Sequence, residues 1–303
     1  MAPVPAARTG QLREMVIEQP TISIRPQHAI ASAPFDRWRS PDGDTIAEFY
    51  RLDGRYLIRF PGRADFEVEA ASLAVSCFAA AEDMEGAAMA LLHNAVEPMI
   101  GNHSGRLHLH GSAVAVDGTG IAFAGLSRRG KTTLAASFAR AGYPFLTEDV
   151  IALTKREDGT YLVAPARPSL RLFSDSEEQL FGEAAACAGT DAKREIDASR
   201  LLPFANAPVP LGGIYILGPG ECEALTIEPV SSQDALAELM QHAFILDVED
   251  KPRLQAHFSR CSDLALHTRC YRLDYPRDYD ALPQIIDGLA RHAREERTGD
   301  ESE

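Results

Sequence analysis

Between residues 122 and 142 the chain reads AFAGLSRRGKTTLAASFARAG, and this stretch restricts the fold more than any other. Gly125, Leu126, Ser127, Arg128, Arg129, Gly130, Lys131 and Thr132 satisfy the phosphate-loop pattern GxxxxGK[ST] without a mismatch. The pattern has physical meaning only where a strand enters and a helix leaves, because N–H groups of the loop and helix N-terminus must surround an anion together. Both flanks are present. LHLHGSAVAVDGTGIAFAG reads as a strand, a DGTG turn and a second strand, and KTTLAASFARAG reads as a helix closed by Gly142. Residues Gly125 to Thr133 are therefore expected to cradle the phosphates of a nucleotide such as ATP. Lys131 would reach the outer phosphates and the Thr132 hydroxyl would ligate Mg²⁺. The bland alternative is a chance Gly/Lys turn. Arg128 and Arg129 stand where such loops usually keep small residues; they either add charge to the phosphate site or project into solvent.

Glu148 and Asp149, in PFLTEDVIALT, follow Lys131 by 17 and 18 residues. A helix, a short return and a strand in that interval lay the acids beside the loop. One of the two would then orient or deprotonate an attacking hydroxyl, and the other would support Mg²⁺. A solvated acidic turn is the competing reading. His108 and His110 alternate in RLHLHGSA and so share one face of a strand. No Cys or third His at ligand spacing completes a metal set with them. A hairpin histidine is usually structural, but the place of His110, just before the strands that lead into the loop, makes it a candidate site residue.

The rest of the chain divides in two. Residues 1–20 carry little periodicity and read as a flexible lead-in. TISI, AEFYRL, RYLIRF and FEVEA suggest short antiparallel strands turned by DGR and PGRAD, and 83–101 has helical spacing. This gives an N-terminal β-rich α+β domain over 21–105. After the hairpin, PFLTEDVIALT, YLVAPA, LGGIYILG and CYRLDYP read as strands; SSQDALAELMQHAF, capped by Ser231 or Ser232, and ALPQIIDGLARHA read as helices. They make an α/β catalytic domain over 106–292, with 293–303 expected as a disordered acidic tail.

A formal charge of −14, from 30 basic and 44 acidic residues, argues against a broad nucleic-acid-binding face and leaves room for a local basic pocket. The five cysteines, Cys77, Cys187, Cys222, Cys261 and Cys270, show no CxxC pair and read as reduced, mostly buried thiols. MAPVPAARTG lacks the apolar centre of a signal peptide, and no run approaches the length of a membrane span. A cytoplasmic, soluble protein is expected, with no nucleic-acid or membrane partner.

The segment LHGSAVAVDGTGIAFAGLSRRGKTTLAASFARAGYPFLTEDVIAL resembles the core of the HPr kinase/phosphorylase family, with His110, Gly125, Gly130, Lys131, Thr132, Glu148 and Asp149 in the family's order. The likeness is dense over 107–155 and diffuse elsewhere. It implies an α/β fold of the HPr kinase and phosphoenolpyruvate carboxykinase type with a P-loop kinase core, and ATP and Mg²⁺ as cofactors. It also implies a homo-oligomer. The family's first acid, its general base, is normally aspartate where this chain has Glu148; the likeness thus implies Glu148 as base, with Asp149 competing for the role or joining Thr132 at the metal. The family segment after the acids is not recognisable either. APARPSLRLFSDSEEQLF, TDAKREIDASRLLPF, VPLGGIYILG and YRLDYPRDYDALPQII resemble instead the HPr-kinase-like proteins found with peptide-maturation genes, which include kinases of the C-terminal serine of lasso-peptide precursors. That likeness implies an ATP-dependent serine kinase with a peptide precursor as partner. It also gives Lys193 and Arg194 a use, holding a phosphate or a peptide carboxylate, against a salt-bridged surface as the plain reading. Arg167 and Arg171 are weaker candidates of the same kind. The rival functions are a kinase of a small hydroxylated metabolite or of an HPr-like protein, and a nucleotide-binding regulatory ATPase.

Overall fold

In the computed structural model, which describes residues 21–40, 42–167, 169–172, 174–181, 194–197 and 202–300, the chain is mixed α/β and divides between Leu92 and His93 into two units. The lead-in 1–20, Lys193 and Cys187 lie outside the described residues.

The first unit contains strands β1 (Ile22–Ile24), β2 (Asp36–Arg39), β3 (Thr45–Leu52), β4 (Arg55–Phe60), β5 (Ala64–Glu69) and β6 (Val75–Ala79), followed by helix α1 (Glu85–Leu91). They form one six-stranded sheet in the order β1-β6-β5-β4-β3-β2, antiparallel except where β1 joins β6. Strand alternation sends Phe49, Ile58, Phe66 and Cys77 into the core, with Phe60 edge-on to Phe66 at 5.8 Å. Between β4 and β5, Arg59 pairs with Asp65 at 2.7 Å, and Gln27 Nε2 donates to the same carboxylate at 2.8 Å.

The sequence reading expects one helix over 83–101, closing a first domain that runs to 105. The helical run is instead interrupted by a π-helical turn at Leu92–Val96, and α2 (Glu97–His103) packs on β7 (Leu107–His110) of the second unit. Asn102 explains the attachment. Its side-chain amide donates to the His108 carbonyl at 2.9 Å, and its Oδ1 accepts from the His108 N–H at 2.6 Å.

The second unit continues with β8 (Ser112–Val116), β9 (Thr119–Ala124), α3 (Lys131–Arg140), β10 (Phe145–Thr147), β11 (Val150–Lys155) and β12 (Tyr161–Ala164). Next come β13 (Ser169–Leu172), α4 (Ser174–Phe181), β14 (Arg194–Asp197) and β15 (Val209–Leu217). The chain finishes with β16 (Thr226–Pro229), α5 (Ser232–Gln241), α6 (Lys251–His267), β17 (Cys270–Asp274) and α7 (Leu282–Asp300). Its main sheet has nine strands, and β15 forks it. The start of β15 pairs with β12, leading on to β11 and β7, and its end pairs in parallel with β17; its other edge is parallel to β9. Strands β13 and β14 make a separate ribbon.

Both faces of the central strands are buried, so side-chain size replaces polarity as the alternating signal. Val114, Val116, Ile121, Phe123, Tyr215 and Leu217 face α3, α4 and α7. Ala113, Ala115, Ala122, Ala124, Ile214 and Ile216 face the opposite core, which α5 and α6 close. Helix α5 starts as expected at Ser231, whose hydroxyl accepts from the Asp234 N–H at 3.2 Å, a cap worth about 1 kcal/mol.

Two further expectations change. PFLTEDVIALT reads as one strand but breaks into β10 on β8 and β11 on β7 and β12, with the acids at the corner between them. The residues taken as a tail from 293 are helical as far as Asp300, because distant partners hold the end of α7. Arg294 pairs with Asp117 at 2.7 Å, and the Glu296 carboxylate meets Arg269 and Tyr271, each at 2.7 Å. Cys77, Cys261 and Cys270 are buried thiols and Cys222 is half-buried. Among the described residues no helix is long and apolar enough to cross a membrane.

Phe123 carries the larger core, fully buried with ring centres 5.8 Å from Phe138 and 6.3 Å from Tyr215. Phe123→Ala is expected to cost about 3–5 kcal/mol of stability, read as a lowered denaturant midpoint at unchanged slope.

Candidate active site

Strand β9 delivers Gly125 to the C-terminal edge of the sheet, and the chain turns there into α3. Gly125 has φ 139°, which L side chains rarely adopt, and a Cβ on it would sit 3.2 Å from the Leu217 carbonyl oxygen, so both its conformation and its tight space favour glycine. Gly130 caps α3 in the left-handed region at φ 88°, with Tyr275 Oη 3.4 Å from where its Cβ would stand. The arginines divide. Arg128 takes the left-handed region itself, φ 64°, with its side chain exposed, while Arg129 is half-buried. A non-glycine residue held there costs of order 1–3 kcal/mol, a strain found at sites that over-determine the backbone.

Lys131 is the first residue of α3 and is buried. Its Nζ donates to the carbonyls of Gly125 at 2.7 Å and Leu126 at 3.0 Å. The ammonium is thus held inside its own loop, its charge shared with backbone dipoles. Thr132 Oγ1 donates to Glu148 Oε1 at 3.2 Å. Thr133 Oγ1 lies 3.2 Å from Ser176 Oγ, which lies 2.9 Å from Tyr279 Oη, tying the start of α3 to α4 and to the segment before α7.

The acids are buried at the β10–β11 corner. Val150 N–H donates to the Glu148 carbonyl at 2.7 Å, closing a γ-turn with Asp149 at its centre, φ 60°. This tight turn aims two adjacent carboxylates at one place, which a continuous strand would send to opposite faces. Arg171 on β13 binds both: its N–H donates to Glu148 Oε2 at 2.9 Å and its guanidinium to Asp149 Oδ2 at 3.2 Å. The expected metal pair is Thr132 with Asp149; Glu148, next to Asp149, is the acid that accepts from Thr132 Oγ1 at 3.2 Å.

His110 pairs in register with Val150, directly after the acid turn, and its ring packs edge-on to Phe244 at 6.1 Å. His108, on the same face of β7, packs against Gly101 of α2, leaving no room for a Cβ there. No group of three His, Cys, Asp or Glu suited to a metal ion occurs among the described residues. Arg167 turns to His93, 2.7 Å away, rather than to the acids. The backbone of Arg194 lies opposite Leu172 on the ribbon that carries Arg171.

Three contributors have no motif. His242 follows α5, with its carbonyl accepting from the His110 N–H at 2.8 Å. Tyr275 packs on the loop glycine. Arg277 lies over the Tyr275 ring at 3.9 Å and donates to the Gly218 carbonyl at 2.8 Å, joining the loops that follow β15 and β17. Topology brings Tyr275 and Arg277 to the loop, because β9, β15 and β17 run parallel and end at one edge.

No family model matches the chain, and no curated protein matches it. Among solved structures, the Hpr(Ser) kinase/phosphatase from Coxiella burnetii is similar at 14% identity, over 63% of this chain and 99% of that one, with a TM-score of 0.37. The likeness is loose.

Burial lowers the pKa of His108, His242 and His257, each to about 4. The unfolded chain binds these protons near pH 6.5 and the folded chain only near 4. Stability is therefore complete above about pH 6.5 and is lost as the pH falls towards 4. Urea titrations at pH 7.5, 6 and 5 are expected to give steadily lower midpoints, with His108→Gln or His257→Gln flattening the fall.

Proposed function

We propose that this chain is an ATP-dependent serine kinase that transfers the γ-phosphate to a serine hydroxyl of a peptide, the C-terminal serine of a lasso-peptide precursor being the acceptor that the sequence likeness favours. The observation that carries the phosphotransfer reading is the bond from Thr132 to Glu148, with Glu148 and Asp149 both held by Arg171, beside a phosphate loop whose lysine is buried.

The residues fit both implied cofactors. Loop N–H groups, the helix N-terminus and Lys131 suit a polyphosphate, and one hydroxyl with two carboxylates suits a hard divalent cation. Bound magnesium would neutralise charge on the outer phosphates. For the chain's own part, Lys131 exchanges the Gly125 and Leu126 carbonyls for phosphate oxygens. Glu148, already bonded to Thr132, stands on the metal side. Asp149 takes the proton of the serine hydroxyl, and Arg171 holds both acids in place, its charge near the transferred group. This exchanges the roles that the order of the two acids suggests. His110 lines the acceptor side, and the ribbon bearing Arg171 and Arg194, with Lys193 just before it, is the place for the peptide carboxylate.

The test uses purified protein, ATP, Mg²⁺ and a precursor peptide ending in serine, read by intact mass, with the alanine-ended peptide and HPr as controls. One added phosphate on the serine peptide alone supports the proposal. ATP consumed with no peptide product would favour a metabolite kinase or a regulatory ATPase. Lys131→Ala should abolish transfer in a folded protein. Asp149→Asn should leave Mg·ATP binding intact and slow transfer by about a hundredfold or more. Glu148→Gln should weaken the magnesium-dependent part of ATP binding. The opposite pattern in the two carboxylate variants returns the base to Glu148.

A further inference from the structure

The loops that follow β15 and β17 close around one side chain. Gly218 and Gly220 both make room there. A Cβ on Gly218 would stand 2.7 Å from Asp274 Cγ, and one on Gly220, which has φ 84°, would stand 2.5 Å from Arg277 Cγ. Asp274 Oδ1 accepts from the N–H groups of Gly220 at 2.8 Å and Tyr275 at 3.0 Å, so the two loops are joined without help from Arg277. The Arg277 guanidinium is then fixed on several sides. Nη1 donates to the Tyr275 carbonyl at 3.0 Å, and Nη2 donates to the Gly218 carbonyl at 2.8 Å, with Asp274 Oδ1 3.5 Å away. Cζ lies over the Tyr275 ring, 3.9 Å from its centre, which is a stacking distance. Arg277 Cδ and Nε are each 3.9 Å from where a Cβ of Gly130 would stand, so the group adjoins the second glycine of the phosphate loop. Of the side chain, 27% remains exposed.

We infer that Arg277 carries the base of a bound nucleoside triphosphate, its guanidinium face stacking on a purine. The inference rests on the nucleotide reading of the loop. Loop N–H groups and Lys131 serve the phosphates, so the base at the other end of the ligand needs a surface beside the loop. A phosphate would call for the guanidinium fork, but both η nitrogens already donate to carbonyls. What remains is the flat face turned away from Tyr275. A guanidinium is planar and weakly hydrated, and it stacks on a π-system while keeping its hydrogen bonds in its own plane. Purines offer more stacking area than pyrimidines, so the site ranks ATP above CTP. The charge of Arg277 adds to the positive field at the loop, but that contribution acts on every polyphosphate alike.

Ligands with and without a base separate stacking from charge. ATP, CTP and inorganic triphosphate, each with Mg²⁺, are titrated calorimetrically into the unaltered protein and into Arg277→Ala and Arg277→Lys. The unaltered protein is expected to bind ATP more tightly than CTP or triphosphate. Arg277→Ala should weaken ATP by about tenfold, within the usual worth of one stacked base, and leave triphosphate nearly unchanged. Arg277→Lys should resemble alanine, because it restores the charge and not the plane. Equal losses for ATP and triphosphate would make Arg277 a phosphate ligand or a brace between loops, and would overturn the inference. Recovery of ATP binding by lysine, or an unchanged ATP affinity in Arg277→Ala, overturns it too. If the alanine variant melts below the assay temperature, Arg277→Met, which keeps much of the bulk, takes its place with the same outcomes. The unaltered protein tells the two failures apart. Triphosphate bound as tightly as ATP removes the base contact and leaves the loop reading standing, whereas no binding of either removes both.

Discussion

A phosphate loop can present its N–H groups to an anion only if the strand that ends in it is unable to slide, and β9 is held along both edges and on both faces. On one edge β8 pairs with it as a hairpin partner; on the other, β15 runs parallel to it. Phe123 packs beneath α3 while Ala122 and Ala124 let the opposite layer approach closely. The last contact before the loop is Gly125 against Leu217, where a Cβ would be tighter than side chains ordinarily pack. The packing thus extends without a gap into the backbone of the loop. Strain at Arg128 and Asp149 persists because the elements on either side cannot relax to relieve it.

The acid corner shows the same logic in a different layer. A strand that simply continued would place Glu148 and Asp149 on opposite faces. The chain instead leaves the layer that contains the loop strand and joins β7 and β12, and the γ-turn this requires brings both carboxylates round together. Arg171 comes from a third place, the β13–β14 ribbon, and binds one acid with its backbone and the other with its side chain. Three segments separated in sequence are needed to fix two adjacent residues.

This explains what the sequence could and could not reveal. Strand, loop and helix were legible because their signals are local: alternation, two glycines, a lysine and a helical period. The break between β10 and β11 was not, because FLTEDVIAL is apolar enough on either side of the acids to read as continuous. Helix α6 has a weak apolar signal because one of its four buried residues is His257 and the others, Cys261, Leu264 and Ala265, fall in its second half. The end of α7 looked like a charged tail because its partners, Asp117 and Arg269, lie far away in the chain. His242 carries no motif at all. The bridge between Leu109 and Ala243, two positions brought together by the fold, puts it beside β7.

Charge placement then bears on what such a site can hold. The chain as a whole carries −14, which disfavours an extended polyanion lying across its surface. Within the loop region the balance reverses: Lys131 is buried, and Arg128, Arg129 and Arg277 stand in or against the loop. A compact anion small enough to enter meets those cations and the helix N-terminus at short range, where the distant acids are screened. A long one must also lie along the acidic exterior. Charge placement therefore favours a compact anion over an extended one.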